Sequence, residues 1–382
     1  MATIHKRNGK WEYRVSYKDP TTGKYRNKTK GGFVRKTECE EAARKIELQK
    51  SNHANLAKQD MLFSDYFKEW VELYRIKGKS HSTVNRYYFA IDVIKKYFPN
   101  MRLVDVTKAD YQHFLNEFGK TRTKVTVSKY NSFFRSMCED AIAEQLIYTD
   151  FTRNTTIVAG KESKSPDEKF LEPDDYIKLI EVAKMHTSIN DISSAEVYLV
   201  TQTGMRYEEC AGLTWNDINF NKKVIRVNRA IENDTRNQKA TKTPAGVRYV
   251  DVSSDCINVL KKLKIGQEEY FNRINYTDPY NYVFRSRRKE TPTSQSVNQQ
   301  LKKLLNEIGA SKIINFHGIR HTHISYLLDQ GFNLKYVSRR VGHKTTATTL
   351  KYYTHMFDST SLEQSSDLRK LFNGIEETNN ND

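Results

Sequence analysis

The sequence predicts a multidomain, mainly α protein in three parts: a small N-terminal three-stranded β-sheet plus one helix, an all-α domain, and a larger mixed α+β domain. Three observations carry this. After Asn8-Gly9, a strong hairpin turn, Trp11, Tyr13, Val15 and Tyr17 alternate with Glu12, Arg14 and Ser16, the period of a half-buried strand. From Met61 to about Asn154 the apolar residues recur at helical spacing. Beyond a linker-like AGKESKSPDEK ending at Lys169, helical stretches are interrupted by strand-like alternation at Lys223 to Arg229 and Val247 to Val252. A chain of 382 residues is long enough for two or three domains, each with its own core.

Residues 1–58 form the first part. Asp19 to Gly23 makes a second turn and Lys24 to Lys30 a third strand, and Thr37 with Glu40 reads as a capping box opening a helix through Leu48. This segment holds 15 Lys and Arg against six Asp and Glu. Arg14, Lys24, Arg26, Lys28 and Lys30 lie on strands, as a sheet seated in a DNA groove requires. A solvated edge whose lysines guard against aggregation fits this segment equally well. In residues 59–160, Ser64 caps a helix burying Phe67, Trp70, Val71 and Tyr74. Ser82 or Thr83 opens a second helix that ends at Pro99, Thr107 a third, and Ser128 to Leu146 is the fourth. Residues 161–375 are the largest part. Pro173 with Asp174 and Asp175 starts its first helix, since proline at the first position and acid in the first turn suit a helix N-terminus. Helices follow around Cys256 to Leu263 and Val297 to Ile308, and residues 376–382 read as a disordered tail.

Lys and Arg number 63 against 46 Asp and Glu, a formal charge of +17, which favours a polyanionic partner. With 23 Tyr and 18 Phe the balance leans toward nucleic acid. Cys39, Cys138, Cys210 and Cys256 are widely spaced and form no CxxC pair, so neither a disulfide framework nor a thiolate zinc site is indicated. No apolar run approaches a membrane span and the N-terminus has no hydrophobic signal core, so a cytoplasmic protein is expected.

The chemistry concentrates between Asn315 and His355. His317 and Arg320, three apart, face one neighbour on a helix that buries Ile319, Ile324, Leu327 and Leu328 and stops at Gly331. A second short helix from about Asn333 buries Leu334, Val337 and Val341 and stops at Gly342, leaving His343 on the loop beyond. A guanidinium is a fixed fork of donors for phosphate oxygens, and imidazole can bond the same oxygens or move a proton. A phenol beside them is a candidate nucleophile. Five of the ten histidines fall between His317 and His355, but no HExxH pattern occurs and Asp329 is the sole carboxylate among them, so no metal site is expected. His321, His323 and His355 read as supports.

HGIRHT, VGHKTTATTLKYYTH and, upstream, TGMRYEECAGLTW resemble the signature boxes of the tyrosine recombinases, the phage-integrase family. Three separated motifs occur in order with a lysine between the first and second. The resemblance implies a site-specific DNA recombinase of a phage or integrative element, working through a covalent 3′-phosphotyrosine and a Holliday junction. It makes Arg206 and Arg320 the phosphate clamps, with Glu209 in support, Lys242 of the Lys242-Thr243 pair the mobile hairpin lysine, and His317 and His343 hydrogen-bonding partners. Lys239, Lys222 and Lys223 are rivals for the lysine. TTLKYYTH aligns Tyr353, rather than its competitor Tyr352, with the family's nucleophile. By the same resemblance residues 1–58 are an arm-type DNA-binding domain, 59–160 the core-binding domain and 161–375 the catalytic domain. The implied partners are double-stranded DNA at core-type and arm-type sites and three further copies in a homotetramer; the apolar stripe Leu362, Leu368, Leu371 and Phe372 fits packing on a neighbouring subunit and packing on its own domain equally well. An excisionase and a host DNA-bending protein are candidate helpers, and no cofactor is implied. A type IB topoisomerase shares the chemistry and is the alternative enzyme; an inactive architectural DNA-binding protein is the alternative outside enzymes. Supercoil relaxation by a monomer without specific sites marks the first, and failure on a suicide substrate the second.

Overall fold

The structure is a computed structural model that describes residues 2–19, 23–51, 56–163, 165, 167–232, 235–240 and 246–353. The chain divides into two compact units, 1–163 and 164–382.

The first unit begins with the strands β1 (Thr3–Arg7), β2 (Lys10–Lys18) and β3 (Tyr25–Phe33), antiparallel in that order. Asn8 and Gly9 both take positive φ, 49° and 80°, as the mirror-image hairpin turn demands. Tyr13, Val15 and Tyr17 are buried as the alternation predicts, and helix α1 (Lys36–Ser51) lays Cys39 and Ala43 against this face. The helix starts before Thr37, so the threonine lies in its first turn rather than capping it.

Helices α2 (Phe63–Tyr74), α3 (His81–Tyr97), α4 (Lys108–Gly119) and α5 (Lys124–Ala143) follow. Their core is largely aromatic: the Phe63 and Phe98 rings meet edge to face at 5.2 Å, and those of Phe67 and Phe134 at 5.3 Å. Thr107 and Asp110 form the complete capping box of α4. Elsewhere the helices start earlier than the sequence suggests. Ser64 lies inside α2, Ser80 rather than Ser82 or Thr83 caps α3, and Thr123 caps α5 five residues before Ser128. Tyr74, expected in the core, is exposed at the end of α2.

The second unit is built around α7 (Ile192–Thr203), nearly every residue of which is buried, with α6 (Pro173–His186), α10 (Ser294–Glu307) and α11 (Phe316–Asp329) packed against it. A short helix α8 (Tyr207–Ala211) leads into strands β4 (Ile218–Asn219) and β5 (Val224–Val227), which with β8 (Arg248–Asp251) form an antiparallel sheet in the order β4-β5-β8. Between them β6 (Arg229–Ile231) and β7 (Gln238–Ala240) form a separate hairpin that the sequence alternation does not reveal. Helix α9 (Ser254–Arg273) contributes Cys256, Leu260 and Leu263 to the same core as Ile225, Val227 and Val250 of the three-stranded sheet. Helices α12 (Leu334–Val341) and α13 (Thr346–Tyr353) pack on α11. His355 and the apolar positions Leu362, Leu368, Leu371 and Phe372 lie outside the described residues.

Candidate active site

Helix α7 ends at Gly204, where φ is +63°. A Cβ there would stand 2.7 Å from Cδ2 of His323, so both the backbone conformation and the space require glycine. Helix α12 ends in the same way at Gly342, φ +72°. These two stops turn unpaired carbonyls toward one place. Arg320, 1% exposed, donates from Nη1 to Gly204 O and from Nη2 to Val341 O, both at 2.7 Å. The guanidinium joins the ends of two helices, so its position is set by backbone rather than by a flexible stem.

Arg206 stands at the N-terminus of α8, one residue beyond Met205. Its Nη2 donates to Gly342 O at 3.3 Å and its Nη1 to Glu209 Oε1 at 2.8 Å, and its backbone N–H donates to Glu209 Oε2 at 3.0 Å. Its side chain is 41% exposed, so part of the fork faces solvent. Burial pushes the Glu209 carboxyl up, but Arg248 and Arg206 overcome that and hold it down at about 2.

His317 opens α11 behind the cap Asn315, whose side chain accepts from the Gly318 N–H. Its ring sits edge to face with that of His321, centroids 4.4 Å apart. Desolvation and then the charges of Arg320 and Arg206 lower its pKa, which keeps it neutral and able to accept a proton. His343 lies on the loop after Gly342, its pKa lowered to about 3 by burial and then by Arg320 and Arg206. Its Nδ1 is 2.8 Å from the buried hydroxyl of Thr349 on α13. When that hydroxyl donates, Nε2 carries the hydrogen and is a donor. His323 is a support: its Nδ1 is 3.0 Å from both Thr201 O and the Tyr176 hydroxyl, and Arg340 Nε donates to its Nε2 at 3.3 Å. A cleft of about 290 Å³ beside His343 is walled by Lys335, Arg339 and Lys344.

The structure thus brings Arg206, Glu209, His317, Arg320 and His343 together. Lys242 lies outside the described residues. Of its rivals, Lys239 pairs with Glu208 at 3.2 Å, Lys223 donates to Ser254 Oγ at 2.7 Å, and Lys222 lines a separate cleft with Asn219 and Phe220. The backbone of Tyr353 closes α13, one helical turn beyond Thr349.

One residue escaped the sequence reading. Arg248, buried on β8, donates from Nη2 to Glu209 Oε2 at 2.9 Å, from Nε to Arg340 O at 2.7 Å and from Nη1 to Gly246 O at 3.0 Å. The signal was available, because two-residue alternation puts Arg248 on the same face as the core residue Val250.

The five basic residues named for the N-terminal sheet do not share a face. Opposed residues in an antiparallel pair lie on one side, and Lys30, Lys28 and Arg26 oppose the buried Tyr13, Val15 and Tyr17. Lys28 there donates to Gln59 Oε1 at 3.0 Å and pairs with Asp60 at 3.4 Å, and Arg26 pairs with Asp19 at 3.0 Å. Arg14 opposes Thr29 on the other face, and Lys24 precedes β3. A count of charges on strands does not contain the register that decides their side.

Residues 169–360, half of the chain, match the phage integrase family. The chain belongs to that family, the tyrosine recombinases. Residues 3–50 match an arm DNA-binding domain and 62–119 the phage integrase N-terminal SAM-like domain. A tyrosine recombinase XerC-like protein of Caldanaerobacter subterraneus subsp. tengcongensis is 27% identical over 97% of this chain and 99% of its own length. The integrase of a Staphylococcus phage is 25% identical over 86% of this chain and 98% of its own. In fold, the Tn1549 transposon integrase, solved with a circular intermediate DNA, superposes with a TM-score of 0.64 at 17% identity, covering 80% of this chain and 99% of that one. A lambda integrase dimer bound to a core site superposes with a TM-score of 0.54 at 19% identity, covering 91% and 93%.

Proposed function

We propose that this recombinase cuts and rejoins specific duplex sites by transesterification at one phosphate, with Tyr353 as nucleophile. The tyrosine Oη–P bond forms as the bond from phosphorus to the 5′ oxygen breaks, leaving a 3′-phosphotyrosine that keeps the energy for religation. His317 accepts the phenolic proton, and Lys242 gives one to the departing 5′ oxygen. Arg206 and Arg320 take the charge on the nonbridging oxygens, helped by His343 and His317. Glu209 orients Arg206. On this account neither a metal nor a nucleotide is needed, because Arg206, Arg320 and Lys242 supply the positive charge and His317 and His343 the further hydrogen bonds that the phosphate requires.

The observation that carries the reading is the convergence of both arginines on the carbonyls that end α7 and α12, with His343 bonded to Thr349 on the helix that bears residue 353. Positions 352 and 353 lie three and four residues from Thr349, so both neighbour it on a helix, and the choice of Tyr353 rests on the TTLKYYTH match. The assignment of 1–58 to arm-type sites, 59–160 to core-type sites and 161–375 to catalysis belongs to the same proposal. So do a homotetramer on two duplexes, action in the cytoplasm, and assistance from an excisionase and a host bending protein. Among the described residues no helix is long and apolar enough to cross a membrane.

The test is a nicked suicide duplex that traps the covalent intermediate. Tyr353→Phe is expected to bind the duplex and give no adduct, whereas Tyr352→Phe still gives one. An adduct formed by Tyr353→Phe would overturn the assignment.

A further inference from the structure

Glu209 is a single carboxylate shared by two guanidiniums. Its Oε1 accepts from Arg206 Nη1 at 2.8 Å, while its Oε2 accepts from the Arg206 backbone N–H at 3.0 Å and from Arg248 Nη2 at 2.9 Å. A lone carboxylate beside a lone arginine closes a two-bond fork that cancels the arginine's charge and occupies its donors. Here Oε2 is shared by Arg248 and the Arg206 backbone N–H, so Arg206 gives Glu209 one side-chain bond while its Nη2 makes a longer one, 3.3 Å, to Gly342 O, in a side chain 41% exposed. The charge count agrees, because two guanidiniums against one carboxylate leave one positive charge over.

Arg248 also holds the other side of the cluster. Its Nε donates to Arg340 O at 2.7 Å, and the next two carbonyls along the chain, Val341 O and Gly342 O, are the ones that accept from Arg320 and Arg206. All three of its nitrogens are engaged by protein acceptors, so it acts through other residues.

We propose that Arg248 is a positioning residue of the reaction: it occupies Glu209 and fixes the end of α12, and so leaves the charge of Arg206 free for the scissile phosphate. This rests on the reading of Arg206 as a phosphate clamp. Loss of Arg248 lets the Glu209 carboxylate turn both oxygens onto Arg206.

The experiment compares cleavage of a suicide duplex carrying an ordinary scissile phosphate with one carrying a neutral methylphosphonate at that position, where a nonbridging charge is absent. Arg248→Gln is expected to slow cleavage of the phosphate duplex on the order of 100-fold, the effect of a misplaced active-site group. On the methylphosphonate the deficit shrinks to about threefold or less, because there is less charge for Arg206 to meet. Adding Glu209→Gln to Arg248→Gln restores part of the lost rate on phosphate, since the competing carboxylate charge is gone. If Arg248→Gln does not fold, Arg248→Lys carries the same comparison with a smaller deficit. An equal deficit on both duplexes overturns the role. Arg206→Ala separates the two ideas: when its own deficit shrinks on the methylphosphonate and that of Arg248→Gln does not, only the role of Arg248 falls. When Arg206→Ala is equally impaired on both, the clamp itself falls.

Discussion

The chain carries positive charge in two regions and holds it in opposite ways. In the second unit Arg320 is 1% exposed and bonded to two backbone carbonyls, and Arg248 is bonded through every nitrogen. In the N-terminal sheet Arg14, Lys24 and Lys30 are exposed, Arg26 reaches one aspartate, and the basic residues are split between two faces. Charge that must meet one phosphate in one geometry is preorganised by burial against acceptors whose own positions are fixed. Charge that meets a run of phosphates along a groove works from a mobile stem, and its contribution is additive and screened by salt.

Breaking the buried half of this comparison gives the largest expected effect. Arg320→Met removes the partner of Gly204 O and Val341 O, and each buried acceptor left without a donor costs about 1–3 kcal/mol. The melting temperature of the catalytic unit should fall accordingly. Cleavage should fall by about 100- to 1,000-fold, the usual effect of losing one donor to a developing oxyanion. Arg320→Lys keeps the charge and cannot span both carbonyls, so it should melt closer to the native protein and still cleave poorly. A methionine variant that melts like the native protein would mean that the two carbonyls do not depend on the guanidinium.

What the sequence made legible follows the same division. The residues whose spacing is dictated by chemistry, His317, Arg320 and His343, could be named because helix periodicity and two glycine stops fix where they point. Thr107 at the head of α4 and Pro173 at the head of α6 were legible because their physics is local to one turn. The burial of Arg248 was readable from strand alternation but its role was hidden, since that depends on Glu209 and Arg340, 39 and 92 residues away. The β6–β7 hairpin was hidden because three-residue strands are too short to show a period. The faces of Lys28 and Lys30 depend on how β2 and β3 are registered, and a count of charges contains no register.

A second contrast sharpens with pH. His323 is fully buried, and burial followed by Arg340 lowers its pKa to about 3. His321 and His343 are also lowered to about 3, by burial first. An unfolded histidine titrates near 6.5, so the folded state binds fewer protons than the unfolded one between about pH 6.5 and 3. The stabilisation is complete above pH 6.5 and is lost as pH falls toward 3, at up to roughly 1.4 kcal/mol per pH unit for the fully buried His323 and less for the half-buried His321 and His343, whose charge solvent partly screens. Amide hydrogen exchange in the full chain should therefore speed up in α7 and α11 from pH 7 to pH 5, after correction for the intrinsic rate. It should change less in α2 and α5, because His5, His81 and His113 of the first unit are exposed. His323→Gln should flatten the pH dependence of α7 and α11 by about one proton; an unchanged slope would assign the effect to the other histidines.

The smallest effects belong to the sheet, and there the two faces can be set against each other. Each phosphate contact made by a cation lowers the slope of log affinity against log salt by about 0.9 on duplex DNA. Arg14→Ala, on the face away from α1, should weaken binding to an arm-type duplex and flatten that slope by about one contact. Lys28→Ala should leave the slope unchanged, because its ammonium is already committed to Gln59 and Asp60. Its cost is a small loss of stability in the first unit, about 1 kcal/mol or less, as for a partly exposed ion pair. Affinities measured for both variants at four or five salt concentrations decide the matter. A slope that flattens for Lys28→Ala and not for Arg14→Ala would mean that the duplex lies on the α1 side of the sheet, and that the contacts to Gln59 and Asp60 are ones DNA displaces.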